Sequence, residues 1–330
     1  MGERKERISC ALIDLEKQKI EVSEIALNDV PDLTGGWSVH LMLWKELWKR
    51  ALQSSDRFPI LGISTGSLTG SGPPASAGFN WCSVGKNGFT VQQAEGRLGA
   101  EIRYAGFDHL LLCGKAAAPI HIQVSDSKVD ILSAADYAAD AVGATYGRIL
   151  ERSDELDRVV AIVDHQGIFE DKYFTVGSAE VASTLRAMNV KALSASGHGQ
   201  IKIAEPEAFL KLCVELYEDF RRNKGNEKIH DAAGAAYYLS PWESVDLNDP
   251  LSTQVELKNL NLMGTDLGKN EIEDIIVSVL GLCWDEELPY SNRLEHAAKL
   301  LSSVQGQHWS VTQLNEMALR LIRINQELLS

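Results

Sequence analysis

Glycine turns alternate with short apolar runs between Gly62 and Ala118. Glycine is required where φ is positive or where no side chain can be accommodated, so this stretch indicates a backbone that closely approaches a ligand or a neighbouring strand. The apolar runs predict strands over Phe79–Val84 and His109–Cys113 and a helix over Gln92–Ala105. On composition alone, a plain turn between strands is the simpler interpretation of the GSLTGSG loop.

The order of motifs in this stretch resembles that of a known family. GSLTGSGPP is followed by GFN and then by GRLGAEIRYAGFDHLLLCGKAAAP. This order is similar to the N-terminal domain of the tungsten-containing aldehyde ferredoxin oxidoreductases, and several spaced elements are more specific than one glycine motif. In that family the region lines a tungsten bis-pterin cofactor, so the resemblance implies an ancestral cofactor cradle here.

A second resemblance lies at SVLGLCWDE, residues 278–286. It is similar to the Asp-x-x-Gly-Leu-Cys motif of the same family's C-terminal domain, which touches a pterin and supplies one thiolate to an iron–sulfur cluster. The Gly-Leu-Cys part matches, whereas Ser278 stands in place of the aspartate. Together the two resemblances assign nine positions to the cradle: Gly66, Leu68, Thr69, Gly70, Asn80, Gln93, Gly96, Gly281 and Leu282.

The cradle region departs from the family's pattern at its cofactor-facing positions. Gly78 replaces an arginine, residues 93–96 replace Asn-x-Gly-Gly, and residues 178–180 replace Arg-Gly-Gly. Pterin phosphates need cations or backbone N–H groups, whereas Glu95 and Glu180 would bring repulsive negative charge close to them. The two glutamates could instead point to solvent. If both face the site, we predict a vestigial cradle that is negatively charged, collapsed or filled by side chains of the helix predicted over Gln92–Ala105.

Five cysteines are scattered without a CxxC pair, at Cys10, Cys82, Cys113, Cys213 and Cys283. A four-iron cluster needs four thiolates. The family takes three of them from a CxxCxxxC segment of its middle domain, which has no counterpart between about Pro250 and Asn270. The resemblance makes Cys283 a candidate metal ligand. A buried apolar cysteine is the simpler interpretation, because one thiolate cannot hold a cluster.

Two histidines follow an aspartate: His109 follows the Gly106-Phe107-Asp108 turn, and His165 follows Asp164 after a predicted strand. These pairs are compatible with acid–base chemistry, but capping or surface roles are the simpler interpretation. No histidine pair has metal-ligand spacing. The sequence contains no nucleophile elbow, P-loop or dinucleotide-binding fingerprint, so no catalytic residue is assigned.

The net negative charge of the chain makes anionic binding partners unfavourable. The 330 residues include 32 Lys and Arg against 46 Asp and Glu, which gives a formal charge of −14. This balance disfavours nucleic acid and anionic membranes as partners. No apolar run approaches the ~20 residues that span a bilayer, and the start of the sequence lacks the apolar core of a signal peptide, so we expect a cytoplasmic protein.

Hydrophobic periodicity predicts an α+β fold. A β-sheet-rich domain over residues 1–203 begins with a hairpin of Ile8–Leu15 and Lys19–Ile25, and a helical part follows over residues 204–330. The resemblance implies that the middle segment of this helical part is shortened. The other predicted elements are strands at Ile120–Val124, Lys128–Leu132, Val159–Val163 and Val190–Ser194, and helices at Ala134–Leu150, Ala179–Met188, Glu205–Asn223, Glu271–Leu282, Asn292–Val304 and Val311–Leu329. Residues 223–270 are turn-rich, and no element is predicted there.

Two helices carry stronger local signals. After the Gly35-Gly36 turn, five apolar residues recur at helical spacings of three and four: Trp37, Leu41, Trp44, Trp48 and Leu52. Such a stripe is typical of a helix face buried against a sheet. The last helix has Ser310 as its N-cap, Gln313 as the capping-box partner, and Trp309 placed to pack on Leu314.

The resemblance covers about two hundred N-terminal residues and the last sixty, which indicates a truncated relative of aldehyde ferredoxin oxidoreductase. Two functions remain open. The first is a non-catalytic subunit or binding protein that holds neither cluster nor cofactor and forms a homo-oligomer or pairs with a full-length oxidoreductase or an iron–sulfur subunit. The alternative is an aldehyde oxidoreductase subunit that uses tungsten or molybdenum bis-pterin and passes electrons to an iron–sulfur partner chain. The altered cradle positions favour the first function, because a fold does not carry its chemistry with it.

Overall fold

The computed structural model describes residues 7–26, 35–43, 59–85, 88–153, 158–171, 174–219, 257–260, 262, 267–284 and 292–329. Two β-sheets and the helices packed on them form the fold, which is the predicted α+β class. None of the helices within these ranges is both long and apolar enough to cross a bilayer.

The first sheet has seven strands in the order β13-β5-β4-β3-β6-β1-β2. Their bounds are β1 (Arg7–Asp14), β2 (Lys19–Ala26), β3 (Ile60–Thr65), β4 (Gly78–Gly85), β5 (Gly88–Glu95), β6 (His109–Cys113) and β13 (Lys258–Asn259). β1 runs parallel to β6, and the other pairs are antiparallel. The predicted opening hairpin is confirmed, with Arg7 opposite Ala26 and Asp14 opposite Lys19.

The second sheet has six strands in the order β11-β10-β9-β12-β7-β8. Their bounds are β7 (Ile120–Ser125), β8 (Lys128–Ser133), β9 (Val159–Val163), β10 (Ile168–Glu170), β11 (Phe174–Gly177) and β12 (Val190–Ser196). Five strands were not predicted: β3, β5, β10, β11 and β13. The last three are two to four residues long, too short for an alternating pattern to show.

Helices cover both sheets and fill the space between them. Their bounds are α1 (37–43), α2 (Arg97–Tyr104), α3 (Val142–Glu151), α4 (Ala179–Ala187), α5 (206–219), α6 (Lys269–Leu280), α7 (Arg293–Gln305) and α8 (Val311–Leu329). One core joins the outer face of the first sheet to α1 and α5 to α8. A second core lies between the sheets with α2 and α4, and a third places α3 on the far face of the second sheet.

The helix predicted over Gln92–Ala105 is wrong in its first third. Residues up to Glu95 belong to β5, where Gln93 pairs with Asn80 of β4, and α2 begins only at Arg97. The sequence QQAE has good helix propensity, but β5 bonds to β4 on one side and β13 on the other. Ladder hydrogen bonds on both edges therefore override the local preference.

The helix predicted over Ala134–Leu150 is also too long at its start. Residues 134–140 form turns, and Ala141 is extended with φ −65° and ψ 162°, so α3 begins at Val142. The carboxylate of Asp140 accepts a 2.7 Å hydrogen bond from Nε of Arg148. This bond ties the turn back onto the helix instead of continuing it.

The helix signals are confirmed where the structure describes them. Trp37 and Leu41 are fully buried in the core beneath the first sheet. Trp44, Trp48 and Leu52 lie outside the described residues, as does most of 223–270. At the start of α8, the Gln313 N–H donates to Ser310 Oγ at 3.3 Å, and the Ser310 N–H donates to Gln313 Oε1 at 2.9 Å, which is the predicted capping box.

Candidate functional site

The loop after β3 is held closed by Thr69. The buried hydroxyl of Thr69 accepts the Gly66 N–H at 2.8 Å and donates to the Gly78 carbonyl at 2.6 Å. Gly70 has φ 71°, a conformation that favours glycine, and its carbonyl accepts the Tyr104 hydroxyl of α2 at 2.6 Å. Four predicted cradle positions, counting buried Leu68, thus lie in one tightly bonded turn.

Residues 278–284, which are the end of α6 and the turn after it, lie directly against this loop. We call them the 278–284 segment. Three backbone hydrogen bonds join the two: Leu68 N–H to the Leu280 carbonyl at 2.8 Å, Gly78 N–H to the Gly281 carbonyl at 3.1 Å, and Cys283 N–H to the Ala75 carbonyl at 2.8 Å. The segment therefore uses backbone donors of the predicted cradle.

Two amide side chains of the predicted cradle, Asn80 and Gln93, also form hydrogen bonds to the 278–284 segment. Nδ2 of Asn80 donates to the Ser278 carbonyl at 3.1 Å, and the Ser278 hydroxyl donates back to Oδ1 of Asn80 at 2.7 Å. Nε2 of Gln93 donates to the Leu282 carbonyl at 2.6 Å. The two predicted amide side chains are neighbours in the β4–β5 register, and both bind the 278–284 segment.

The glycines explain how the two segments approach so closely. A β-carbon added to Gly66 would lie 2.1 Å from the carbonyl carbon of Leu280. One added to Gly78 would lie 2.8 Å from the Gly281 oxygen and 2.9 Å from Sγ of Cys283. These distances are far below van der Waals contact, so the space that the absent side chains leave is filled by the chain itself.

Residues 10–197 match the family model described as "Aldehyde ferredoxin oxidoreductase, N-terminal domain", which covers more than half of the chain. The chain belongs to this family. Its membership rests on the same stretch that carries β1 to β12 and the cradle loop.

Relatives in the aldehyde ferredoxin oxidoreductase family are distant and longer. The tungsten-containing aldehyde ferredoxin oxidoreductase of Pyrococcus horikoshii is 24% identical over 202 residues, which is 58% of this chain and 33% of the relative. The enzyme of the same name from Pyrococcus furiosus is 26% identical over 171 residues, 49% of this chain and 28% of the relative. The chain thus spans about a third of the length of these curated relatives.

Two further similarities concern proteins described as parts of assemblies. The "Aliphatic sulfonate oxidoreductase, WOR-like subunit" of Pyrococcus furiosus is 29% identical over 129 residues, 38% of this chain and 20% of that protein. Among solved structures, the active site complex BamBC of benzoyl coenzyme A reductase superposes with a TM-score of 0.59 at 19% identity, over 67% of this chain and 36% of that chain. At this identity the superposition shows the shared fold alone.

Gly78 gives a direct test of whether these residues fit the family's pterin cofactor. The family resemblance places a cofactor-binding arginine at this position, but any side chain here would collide with Gly281 and Cys283. The amides of Asn80 and Gln93 are already bonded to the 278–284 segment. In the arrangement described, the residues present do not fit the cofactor.

The element that lies against the cradle loop is the 278–284 segment, almost two hundred residues further along the chain than Asn80. This contact was not among the outcomes expected for the cradle, which were negative charge, collapse or filling by side chains of the helix over 92–105. Of the two glutamates that could face the site or point to solvent, Glu180 is exposed in the first turn of α4 and Glu95 is half-buried. The sequence did contain a signal, since the Gly-Leu-Cys motif had been assigned to the same site.

A buried carboxylate that the sequence analysis missed lies in front of Gly96. The carboxylate of Glu170, on β10, accepts the N–H groups of Arg97 at 2.7 Å and Leu98 at 2.9 Å, at the N-terminus of α2. A β-carbon on Gly96 would lie 2.6 Å from Oε2 of Glu170. A helix N-terminus is a natural anion site, and here a carboxyl group of the chain itself accepts its N–H groups.

The surroundings of Glu170 oppose its ionisation. Burial raises the pKa of Glu170 to about 8, and the adjacent carboxyl of Asp171 acts in the same direction. The two N–H donors and the Arg97 guanidinium act against this shift but do not cancel it. Burial likewise raises the pKa of Asp171, to about 6. The pair therefore titrates near neutral pH.

Cys283 lies in the same contact. Its thiol is half-buried, 3.8 Å from Nε2 of Gln93 and 3.9 Å from the Ala94 carbonyl. Within the described ranges, no group of three or more His, Cys, Asp or Glu residues is placed to hold a metal ion. Cys283, the candidate metal ligand, thus contacts the Gln93 amide and the Ala94 carbonyl, and no further metal ligands accompany it among the described residues.

The two Asp-His pairs differ in setting. The Asp108 carboxylate accepts the Ser9 N–H at 2.9 Å, and its carbonyl accepts the Thr65 hydroxyl at 2.9 Å, so this aspartate ties three strands together. His109 beside it is fully buried. His165 is exposed, with Nδ1 2.6 Å from the Asp164 carboxylate, in keeping with the predicted surface role.

Proposed function

We propose that this chain is a non-catalytic member of the aldehyde ferredoxin oxidoreductase family, a subunit or binding protein that keeps the N-terminal scaffold without its cofactor. The observation that carries the proposal is the contact between Gly78 and the Gly281–Cys283 turn. A phosphate-binding arginine has no room at position 78 while this turn is in place.

Hydrogen bonding supports the same proposal. A pterin binds through backbone N–H groups and amide side chains, and those of Leu68, Gly78, Asn80 and Gln93 are bonded to the 278–284 segment. Binding a pterin would break these bonds. Each buried donor or acceptor that loses its partner costs roughly 1–3 kcal/mol, so the family's cofactor would have to compete with an intramolecular ligand at very high effective concentration.

Electrostatics acts in the same direction. Glu170 already occupies the N-terminus of α2 with a carboxylate. An anionic phosphate brought to the same helix end would have to replace Glu170 as the acceptor of the Arg97 and Leu98 N–H groups. It would also meet a like charge there wherever the pH is high enough to ionise Glu170. Displacement of Glu170 is therefore a second requirement for binding.

The test is cofactor content after native purification from a host that supplies tungsten, molybdenum and pterin. We expect substoichiometric metal by mass spectrometry and no pterin fluorescence after oxidation. The Pyrococcus furiosus aldehyde ferredoxin oxidoreductase, prepared in the same host, serves as the control for cofactor supply. Stoichiometric tungsten or molybdenum with pterin in the unmodified chain would refute the proposal.

Hydrogen exchange gives an independent measurement of the filled cradle. The amides of Leu68, Gly78 and Cys283 should exchange as slowly as those of the strand core, because each donates to a buried carbonyl. The amide of Gly143, in the exposed first turn of α3, provides a fast-exchanging comparison. Fast exchange at the three cradle amides would mean that the 278–284 segment does not occupy the cradle in solution.

The second candidate is a subunit of a tungsten or molybdenum pterin oxidoreductase whose electrons pass to an iron–sulfur partner chain. It is favoured by the similarity to a relative named as a WOR-like subunit. In this case a partner would have to displace the 278–284 segment. Anaerobic coexpression with candidate iron–sulfur subunits, followed by aldehyde oxidation with a viologen acceptor, tests it, and absence of turnover in complexes that do form would count against it.

In either case the partner is a protein: a second copy of this chain, a full-length oxidoreductase or an iron–sulfur subunit. Light scattering of the purified chain separates a homo-oligomer from a monomer. Copurification from the native source then identifies a hetero-partner. A monomer that copurifies with no oxidoreductase would leave the binding-protein form of the proposal and remove the subunit form.

A further inference from the structure

The start of α2 is fixed to the second sheet through Glu170 of β10. The two carboxyl oxygens of Glu170 accept the N–H groups of Arg97 at 2.7 Å and Leu98 at 2.9 Å. Gly96, directly before the helix, allows this approach, because a β-carbon there would lie 2.6 Å from Oε2 of Glu170. The carboxyl is buried, so water does not solvate it when its charge changes.

The end of α2 is fixed to the loop after β3. Nη1 of Arg103 donates to the Ser67 carbonyl at 3.0 Å and to the Thr69 carbonyl at 2.7 Å. The Tyr104 hydroxyl donates to the Gly70 carbonyl at 2.6 Å. The same short helix therefore contacts the second sheet at its start and this loop at its end.

The middle of α2 packs tightly on the first sheet. A β-carbon on Gly99 would lie 2.6 Å from Cβ of Phe79 in β4, so the helix backbone lies almost directly on that strand. The eight residues of α2 span about 12 Å and are joined by backbone hydrogen bonds between successive turns. A helix of this length moves as one unit, so a displacement of its start also displaces its last turn.

The carboxyl of Glu170 lies among more acidic than basic side chains. Asp171 follows it in the chain, and the Arg97 guanidinium lies 3.9 Å from the Asp171 carboxylate and 3.5 Å from that of Glu101. Among the described residues, the other charged side chains on α2, α4, β5 and the strands beside β10 are half-buried Glu95, Arg103 at the far end of α2, and exposed Glu180 and Arg186. Ionisation of Glu170 therefore adds a negative charge beside other carboxyls, which the Arg97 guanidinium opposes.

Ionisation of Glu170 works against its contact with α2. Burial raises the pKa of Glu170 from 4.5 to about 8, and the Asp171 carboxyl acts in the same direction. The Leu98 and Arg97 N–H groups and the Arg97 guanidinium act against this rise without cancelling it. A group whose pKa is raised by a contact favours, once ionised, the states in which that contact is broken. The contact between β10 and α2 is therefore strongest at acid pH and is weakened as the pH rises through about 8.

We propose that α2 transmits the ionisation of Glu170 to the loop after β3, so that a rise in pH loosens the hold of Arg103 and Tyr104 on that loop. At lower pH the protonated Glu170 keeps the start of α2 against β10, and the last turn keeps the loop closed. Every contact involved lies within the chain, so the proposal requires neither the loss nor the retention of a cofactor. The loop that carries four predicted cradle positions becomes responsive to pH.

Glycine amide NMR tests the proposal on the full chain. Of the 26 glycines, Gly96 is the only one preceded by Glu, and Gly70 is one of three preceded by Thr, which assists assignment after selective labelling. Both amides donate to backbone carbonyls, Gly96 to Ala77 and Gly70 to Ser76, so their signals remain observable at alkaline pH. We expect the two signals to shift with one common midpoint near pH 8.

Three variants decide whether the shift at Gly70 comes through α2. Glu170→Gln should abolish both titrations, whereas Glu180→Gln, at an exposed position of α4, should change neither. Tyr104→Phe removes the hydroxyl from the Gly70 carbonyl and leaves Glu170 in place, so Gly96 should titrate as before while the Gly70 shift becomes smaller. A direct effect of the Glu170 charge on Gly70 would survive Tyr104→Phe.

Three results would overturn the proposal. The first is a Gly96 signal that titrates while Gly70 stays constant, which would confine the effect to the start of α2. The second is the absence of any titration of Gly96 near pH 8 in the unmodified chain. The third is a Gly70 titration that persists unchanged in Glu170→Gln or in Tyr104→Phe.

Discussion

Asn80 and Ser278 bond to each other twice although they lie 198 residues apart in the chain. The amide of Asn80 donates to the Ser278 backbone, and the Ser278 hydroxyl donates to the amide oxygen. Both residues are fully buried. A serine hydroxyl can donate this bond, whereas the aspartate that the family places at the same position would present an acceptor to an acceptor when ionised.

The pair predicts strong coupling between two substitutions. Ser278→Ala should lower the free energy of unfolding by about 1–3 kcal/mol, because Oδ1 of Asn80 loses its buried donor. In a double-mutant cycle with Asn80→Ala, measured by urea unfolding, we expect a coupling energy of roughly 0.5–3 kcal/mol. Ser183→Ala, on the exposed face of α4, is the control and should change stability by less than about 0.5 kcal/mol. Strict additivity would contradict the contact.

Gly78→Ala tests the filled cradle with one methyl group. The added carbon would approach the Gly281 oxygen and the Cys283 sulfur within 2.9 Å, so we expect destabilisation of about 1–3 kcal/mol and faster modification of Cys283 by a thiol reagent, mapped by mass spectrometry. Gly143→Ala adds the same methyl within α3, where nothing lies within 4 Å. That control should stabilise the protein by roughly 0.5–1 kcal/mol. A tolerated Gly78→Ala with an unreactive Cys283 would disprove the close approach.

Because the pKa of Glu170 is raised, we expect the free energy of unfolding to fall as the pH rises towards 8. Its pKa is raised from 4.5 to about 8 in the folded state. Between these values the folded protein retains a proton that the unfolded chain has released, so the unfolding free energy decreases with pH, by at most about 1.4 kcal/mol per unit for one proton. The buried histidines His40, His109 and His121 have lowered pKa values and act with the opposite sign below 6.5. Asp171, whose pKa is raised to about 6, acts with the same sign as Glu170 but mainly at lower pH. Between pH 6.5 and 8 the slope therefore reports chiefly on Glu170.

Glu170→Gln should flatten this slope. The amide keeps an oxygen acceptor for the N–H groups of Arg97 and Leu98 but does not titrate. Chemical denaturation at half-unit steps of pH measures the effect, and Glu180→Gln, at an exposed position of α4, should leave the slope unchanged. An identical slope in Glu170→Gln would assign the pH dependence to another group.

Ser310→Ala tests how much the N-cap of α8 contributes to stability. The serine hydroxyl accepts the Gln313 N–H, and Ser310 is half-buried while Gln313 is exposed, so we expect its removal to leave the fold in place. We expect a loss of about 0.5–2 kcal/mol in the free energy of unfolding. Ser310→Asp should restore most of it, because a carboxylate also accepts this bond and complements the helix dipole. Equal losses in both variants would argue against a capping role.

Local patterns predicted much of the fold. The hairpin of β1 and β2, the strands β6 to β9 and the capped α8 follow from alternation, periodicity and capping, which depend on neighbouring residues. The boundary between β5 and α2 could not be predicted in this way. It is set by β4 and β13, and β13 lies more than 160 residues further along the chain. Long-range pairing is invisible to a local pattern.

The sequence predicted some features of the candidate site and not others, for the same reason. The nine cradle positions lie in two clusters that the sequence identified, and the structure brings both clusters together. Which atoms occupy the space could not be predicted, because Gly66 and Gly78 are compatible with a ligand or with close backbone packing. Glu170 was missed for a related reason. A lone glutamate in a three-residue strand has no sequence signature, and its burial follows from the sheet around it.

The distance between Asn80 and Ser278 also has a consequence for biosynthesis. A ribosome adds roughly 5–20 residues per second, so the 198 residues that separate the two take about 10–40 s to translate. During this interval the strands that carry Asn80 and Gln93 have emerged, while the segment that will bond to them does not yet exist. The nascent chain therefore presents a glycine-lined surface whose donors have no partner yet from the 278–284 segment. Any molecule that binds this surface during synthesis does so before residue 278 is made.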